Sequence, residues 1–197
     1  MRTRISVPTR KKAIAIASRG SRASSSPVPA SMNIVGNVGI QGTPVIDPQA
    51  GTIYFVARTK ENGDYFQRLH ALDLATGVAR SGSPVTITAS VSGTAPDAVA
   101  GVVTFNPKMQ SQRPALALVN GVVLIAWAGH EDLPPFHGWV IGYDAASLAR
   151  VGVYCVSPDA SAGGIWQGGR GPTIDAAGNV YFVTGNGTWR RRPVQAH

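Results

Sequence analysis

The feature of this sequence that most constrains its fold is an internal repetition of short apolar segments with strand character. Each segment follows a turn and is rich in β-branched or aromatic residues, which favour strands. The three strand cores span residues 52–57, 122–127 and 179–184. Each core is preceded by a shorter strand that begins at a proline, and these strands span residues 44–47, 114–118 and 172–175.

Further strands extend the first two copies into units of four. Third strands that end in an acidic residue are predicted at 69–73 and 140–144, and fourth strands at 85–88 and 151–155. Four antiparallel strands followed by a return to the start describe a propeller blade. An immunoglobulin-like sandwich also uses short strands, but it does not predict this repetition. We therefore predict an all-β fold, an incomplete β-propeller of four-stranded antiparallel blades with long loops.

The spacing of the copies predicts where the loops lie. The prolines that open the copies are Pro44, Pro114 and Pro172, which are 70 and 58 residues apart. Compact blade repeats span roughly 40–50 residues, so the connections must be long. The segments with loop composition are 59–66, 90–112 and 129–138. Binding residues concentrate in loops of this kind.

The positive charge of the chain lies at its two ends. The net charge is +8, but seven Lys or Arg residues fall within the first 22 positions and three more at 190–192. Residues 23–189 hold eight basic and ten acidic residues, a net charge of −2. We therefore predict a basic, Ser/Pro-rich disordered segment at 1–33 and a basic tail at 190–197. The propeller blades between them are predicted at 34–105, 106–162 and 163–189.

The order of these motifs resembles a known family. Residues 42–47 through 69–77, the glycine-rich stretch 163–172 and the segment 185–188 are similar to the pyrroloquinoline-quinone-type (quinoprotein dehydrogenase-like) β-propellers of secreted bacterial proteins. The resemblance covers about residues 34–189. It implies a fold, and an extracellular or periplasmic location, although the chain has no convincing signal peptide of its own.

The chain also departs from the catalytic members of that family. Their blade motif has the form Ala-x-Asp-x-x-Thr-Gly-x-x-x-Trp, and here Ser81 stands in the position of the tryptophan. In the second copy, Leu148 and Gly152 replace the glycine and the tryptophan. Cys155 is the only cysteine, so it cannot form the adjacent cysteine pair that some members place over the cofactor. No cofactor-binding position is assigned, and pyrroloquinoline quinone with calcium belongs only to an alternative interpretation.

One loop carries a possible metal site. His130, Asp132 and His137 are of the residue types that bind zinc and similar ions. The alternative is a polar loop in which His137 and Trp139 pack at the start of a strand. No Ser-His-Asp arrangement has local support. Cys155 is expected to be a buried, inert thiol.

Three functional hypotheses follow from these observations. The first is a non-catalytic propeller segment that serves as a structural or ligand- or protein-binding module, as a fragment of a larger exported bacterial protein. The second is a quinone-dependent dehydrogenase fragment, and the third is weak, non-specific polyanion binding through the basic termini. Two blades and part of a third would expose apolar faces, so self-association is expected. No apolar run approaches the roughly 20 residues of a membrane-spanning helix.

Overall fold

The computed structural model describes residues 24–25 and 37–188, and the regular structure of this part of the chain is β-strand apart from one short 3-10 turn, Gln167–Gly169. The prediction of an all-β fold with antiparallel sheets is confirmed. In chain order the strands are β1 (Ser24–Ser25), β2 (Asn37–Val38), β3 (Val45–Asp47), β4 (Thr52–Glu61), β5 (Asp64–Asp73), β6 (Val85–Thr86), β7 (Ser90–Ser92), β8 (Val102–Thr104), β9 (Gln110–Ser111), β10 (Ala117–Val119), β11 (Val122–Gly129), β12 (Trp139–Asp144), β13 (Arg150–Cys155), β14 (Ser161–Gly164), β15 (Thr173–Ile174), β16 (Val180–Tyr181) and β17 (Gly185–Thr188).

Two four-stranded antiparallel sheets form the body of the molecule. The first sheet has the order β3-β4-β5-β6 and the second sheet the order β10-β11-β12-β13, with β9 paired to the end of β11. Consecutive strands are neighbours throughout both sheets, as the predicted four-strand units require. The other strands form the pairs β1–β2, β7–β8, β14–β17 and β15–β16. Within the described residues none of these sheets closes on itself, and no helix has the length and apolar character needed to cross a bilayer.

Two of the predicted loops contain strand. The prediction of a long loop at 59–66 is wrong, because β4 and β5 continue to a two-residue turn at Asn62 and Gly63. Both turn residues have positive φ, 51° and 100°, as an Asn-Gly hairpin turn requires. The segment 90–112 contains the β7–β8 hairpin and β9. The segment 129–138 is a loop once β11 ends at Gly129.

The third predicted unit is less regular than the first two. The predicted strand at 179–184 is reduced to β16, which pairs with β15. Residues after it form β17, which pairs with β14 in the glycine-rich stretch. The predicted segments 1–33 and 190–197 lie outside the described residues, except that Ser24–Ser25 pairs with Asn37–Val38.

An aspartate-capped turn follows the third strand of each four-stranded sheet. The Asp73 Oδ1 atom accepts hydrogen bonds from the backbone N–H groups two and three residues later and from the hydroxyl of Thr76. Asp144 makes the same three bonds, with Ser147 in place of the threonine. These bonds favour the ionised carboxylate and lower the pKa of both aspartates.

The two turns differ at the residue that closes them. The Gly77 N–H donates to the Asp73 carbonyl at 2.8 Å, and the Leu148 N–H donates to the Asp144 carbonyl at 2.9 Å. Both closing residues have positive φ, 74° for the glycine and 58° for the leucine. A leucine in this region is strained, but its side chain is only 2 % exposed and belongs to the core. Burial therefore offsets the backbone strain.

The largest core lies between the two sheets. Tyr54 and Val56 of the first sheet face Ile125 and Trp127 of the second, because alternate residues of a strand share one face. Phe105, just after the β7–β8 hairpin, meets the Trp127 ring edge-on at 5.0 Å between ring centroids. We call this the inter-sheet core; its buried members are Tyr54, Val56, Leu69, Ala71, Ile87, Ala89, Ala95, Val103, Phe105, Leu116, Val123, Ile125, Trp127, Trp139, Ile141, Tyr143, Leu148 and Cys155.

The second sheet is also covered on its other face. Ala126 is fully buried there and packs with Val156 and Ile165. Phe182, which follows β16, and Val140 are partly buried against the same cluster. The third unit therefore stacks on the second sheet as the second sheet stacks on the first.

Backbone hydrogen bonds join the segments that lead into the first strands of the three units. The Leu116 N–H donates to the Thr43 carbonyl at 3.0 Å, and the Ala115 N–H donates to the Arg170 carbonyl at 3.2 Å. We call this the first-strand junction. Each of its segments borders a proline that opens a copy of the repeated motif. The three units thus meet at one edge while their faces stack.

The closing residue Leu148 gives a test of the fold. We expect Leu148→Ala to lower the free energy of unfolding by about 2–4 kcal/mol, because a buried side chain is lost. Leu148→Gly should be about 1 kcal/mol less destabilising than Leu148→Ala, because glycine adopts positive φ without strain. Urea denaturation followed by tryptophan fluorescence measures both values.

Leu116 is the matched control, since it is 5 % exposed and does not have a positive φ. There the order should reverse, with Leu116→Gly more destabilising than Leu116→Ala. If glycine were worse than alanine at both positions, Leu148 would not hold the strained conformation in solution.

Candidate functional site

The structure gives the three predicted metal-binding residues different surroundings. His130 and His137 are each 1 % exposed, whereas Asp132 is exposed and its Oδ2 atom accepts a hydrogen bond from Asn186 at 3.0 Å. The described part of the chain contains no group of three or more His, Cys, Asp or Glu side chains that could hold a metal ion. The metal site at His130, Asp132 and His137 stays a prediction.

His137 instead connects two other loops. Its Nδ1 atom lies 2.9 Å from the Ser157 hydroxyl, and its Nε2 atom lies 3.0 Å from Asp97 Oδ1. The histidine, the serine and the aspartate come from three separate loops, 20 and 40 residues apart in sequence. No local sequence signal indicates this Ser-His-Asp arrangement, because its members meet only after the sheets have stacked.

The hydrogen bonds of Ser157 identify this arrangement as structural. The serine hydroxyl donates to the Ala162 carbonyl at 2.6 Å, so it accepts from His137 Nδ1. A nucleophilic serine would instead donate its proton to the histidine. Ser157 is also only 8 % exposed, which closes it to a substrate. The three residues hold the loop around Asp97 against the loops that flank β12 and β13.

Two other reactive side chains, Cys155 and His70, are also held in packing. Cys155 is buried as expected, and burial raises the pKa of its thiol to about 11, so the unreactive thiol form dominates at neutral pH. The His70 ring stacks on Phe55 with centroids 4.8 Å apart, and burial lowers the pKa of the imidazole.

The inter-sheet core changes from apolar to polar at one end. Along β4 the side chains that face the second sheet run from Tyr54 and Val56 to Arg58, and Gln67 lies opposite Arg58 on β5. The Gln67 amide donates to two backbone carbonyls of the 106–110 turn region, and its Oε1 atom accepts from Trp127 Nε1 at 2.7 Å. Every hydrogen-bonding atom of this buried glutamine therefore has a partner.

The guanidinium of Arg58, in contrast, has hydrogen-bond partners for only some of its donors. Its side chain is 4 % exposed, and one guanidinium nitrogen, Nη2, donates to the Lys108 carbonyl at 2.6 Å. The Nε and Nη1 atoms are buried with no hydrogen-bond partner among the described residues. A buried polar group without a partner is rare and costs free energy, most of all when it is charged.

A second buried group without a partner in the described part of the chain, the Tyr65 hydroxyl, lies beside Arg58. The Tyr65 ring lies 5.2 Å from the Arg58 Cζ atom and 5.4 Å from the Lys60 ammonium, and the Tyr65 hydroxyl is also buried without a partner among the described residues. The ring borders an open cleft of about 490 Å³. The cleft is lined by residues 63–66 and 106–108.

The charge of this cluster is not balanced. All ten Asp and Glu residues of the chain lie between positions 47 and 175, and within the described residues none forms an ion pair with Arg58. Burial lowers the pKa of Arg58, yet a guanidinium keeps its proton at neutral pH. Burial, and then the charge of Arg58, also lowers the pKa of His130. We call Arg58, Lys60, Tyr65 and the adjoining cleft the cationic cluster.

No sequence motif marks Arg58 as a functional residue. The available signal is strand parity, because Arg58 falls on the same side of β4 as the core residues Tyr54 and Val56. That two of its nitrogens are unpaired among the described residues depends on where residues 106–110 pass, and no local pattern predicts that path.

Comparison of the chain with protein-family models, with curated proteins and with solved structures finds no match.

The structural role of Ser157 can be tested directly. We expect Ser157→Ala to lower the free energy of unfolding by about 1–3 kcal/mol, because the buried His137 Nδ1 loses its partner and the Ala162 carbonyl keeps only the 3.3 Å bond from the Gly138 N–H. Ser92→Ala, at an exposed strand position, is the matched control and should change stability by less than about 0.5 kcal/mol. Equal, small effects in urea denaturation would contradict the assignment.

Proposed function

We propose that this chain is a non-catalytic module of the β-propeller type, with a structural role or a role in binding a protein or small ligand, and that it belongs to an exported bacterial protein. The observation that carries the proposal is the first-strand junction combined with face-to-face stacking of the units. In a propeller, four-stranded blades stack face to face around an axis lined by their first strands. The hydrogen bonds that connect Thr43, Ala115, Leu116 and Arg170 support this arrangement.

The surroundings of the reactive side chains support a non-catalytic role. The hydroxyl of Ser157 is committed to a backbone carbonyl, and Cys155 is buried as a neutral thiol. His70 stacks on an aromatic ring. These three are the candidate nucleophile and base side chains discussed above, and each one is buried or packed against its neighbours.

The outer face of the third unit supports binding to another protein surface. Phe182 packs inward against the second sheet, while Tyr181 and Val183 point the other way and are 55 % and 75 % exposed. A propeller-type unit would cover this face with a further unit. In a solution of the pure protein, the surface available to cover this face is that of a second copy of the chain.

Self-association through this face is therefore expected. Light scattering after size-exclusion chromatography should show oligomers of the full chain, and Val183→Lys should shift them towards the monomer because the charge must remain hydrated. Val99→Lys is the control, since Val99 is 78 % exposed on a different surface, and it should leave the mass unchanged. A monodisperse wild-type monomer with one sharp thermal transition would contradict the prediction.

A quinone-dependent dehydrogenase is distinguished from this module by its cofactor. We expect that pyrroloquinoline quinone, added with calcium to the full chain, will separate from the protein on gel filtration. The absorbance spectrum of the protein peak measures what remains bound, and bovine serum albumin gives the level of non-specific binding. Stoichiometric co-elution that depends on calcium would overturn the non-catalytic proposal in favour of the dehydrogenase.

A further inference from the structure

We propose that the cationic cluster is a binding site for an oxyanion group, a carboxylate or a phosphate, carried by a ligand that enters the adjoining cleft. This proposal rests on the binding role proposed above, because it names the class of ligand for that role. Arg58 is the central donor, with Lys60 supplying a second charge and Tyr65 a hydroxyl donor.

The first argument is the cost of an unbalanced buried charge. Arg58 is 4 % exposed, keeps its proton and leaves the Nε and Nη1 donors without a partner among the described residues. Gln67, directly opposite on β5, has a partner for each polar atom in the same environment. The fold therefore can pair a buried polar group at this place, whereas Arg58 and the Tyr65 hydroxyl keep unpaired hydrogen-bond donors among the described residues. An anion supplies what these donors lack.

The second argument is the arrangement of two cations around one ring. Arg58 and Lys60 lie two residues apart on one face of β4 and both contact the Tyr65 ring. Two like charges at one ring repel each other, and the ring offsets only a small part of that repulsion. An anion bound at the cluster would be attracted to both charges.

The third argument is access and chemical selectivity. The cleft of about 490 Å³ borders Tyr65, and the Tyr65 ring also contacts the Arg58 guanidinium, so the cleft lies next to the cationic cluster. The cluster offers N–H and O–H donors, which suit oxygen acceptors and do not suit a metal ion. Lys108 adds a positive charge at the cleft and Asp64 a negative one, so the local balance remains positive.

The test compares anions at constant ionic strength. Thermal unfolding of the full chain is followed in sodium chloride, in sodium phosphate and in sodium acetate. Phosphate or acetate should raise the melting temperature above the chloride value with a saturable dependence on concentration, because a ligand of the native state stabilises it. The anion with the lower half-saturation concentration identifies the phosphate or the carboxylate as the source of the oxyanion. Equal curves in all three salts would overturn the proposal.

Arg58→Met removes the charge and keeps the volume of the side chain. We expect it to abolish the anion-dependent rise, or to raise the half-saturation concentration about tenfold or more. In chloride this variant should be at least as stable as the wild type, because an uncompensated buried charge has been removed. Arg68→Met is the matched control, since Arg68 lies on the opposite face of β5 and is paired with Glu61 at 2.5 Å. It should keep the full anion effect.

Tyr65→Phe keeps the test decisive if Arg58→Met does not fold. It removes only the hydroxyl, and we expect it to raise the half-saturation concentration roughly three- to tenfold. An unchanged anion effect in Tyr65→Phe and in any folded Arg58 variant would overturn the site. That result would leave the propeller-type module intact, because its tests are oligomeric mass and cofactor co-elution rather than anion dependence.

Discussion

The second sheet is apolar on both faces, and the rest of the structure depends on covering it. Ile125 and Trp127 must be buried on one side and Ala126 on the other, because residues alternate along β11. A single neighbouring sheet cannot cover both faces. The first sheet covers one face and the third unit covers the other. The units therefore follow each other in space in the same order as in the sequence. A sheet of this composition has no stable arrangement on its own.

The repeated pattern was sufficient to predict the two four-stranded sheets. Prolines marked the starts of the first strands, and acidic residues marked turns in which Asp73 and Asp144 cap backbone N–H groups. Residue composition predicts the loops less accurately than the repeated pattern predicts the strands. Composition predicts a loop at 59–66, because polar residues there interrupt the apolar pattern. Asn62 and Gly63 instead form the turn of a long hairpin. In a long hairpin, cross-strand pairing continues beyond the core, and the hydropathy pattern of the sequence does not indicate this continuation.

The sites were harder to predict than the fold because they form between units. The loop with His130, Asp132 and His137 was found from residue types, but the partners of His137 are Asp97 and Ser157, which other segments supply. Arg58 looks ordinary in the sequence, as one of several cations on a strand. Its donors that are unpaired among the described residues depend on the path of residues 106–110, whose carbonyls accept both hydrogen bonds of the Gln67 amide nitrogen but only one from Arg58. Such a difference is a property of three-dimensional packing, and no local pattern encodes it.

Two hydrogen bonds of the first-strand junction run between main-chain atoms. Ala115 and Leu116, which are adjacent in sequence, donate their N–H groups to the carbonyls of Arg170 and Thr43. Because the donors are backbone groups, any residue except proline at 115 and 116 supplies them. The side chains at these two positions therefore remain available to the core, which the Leu116 side chain joins.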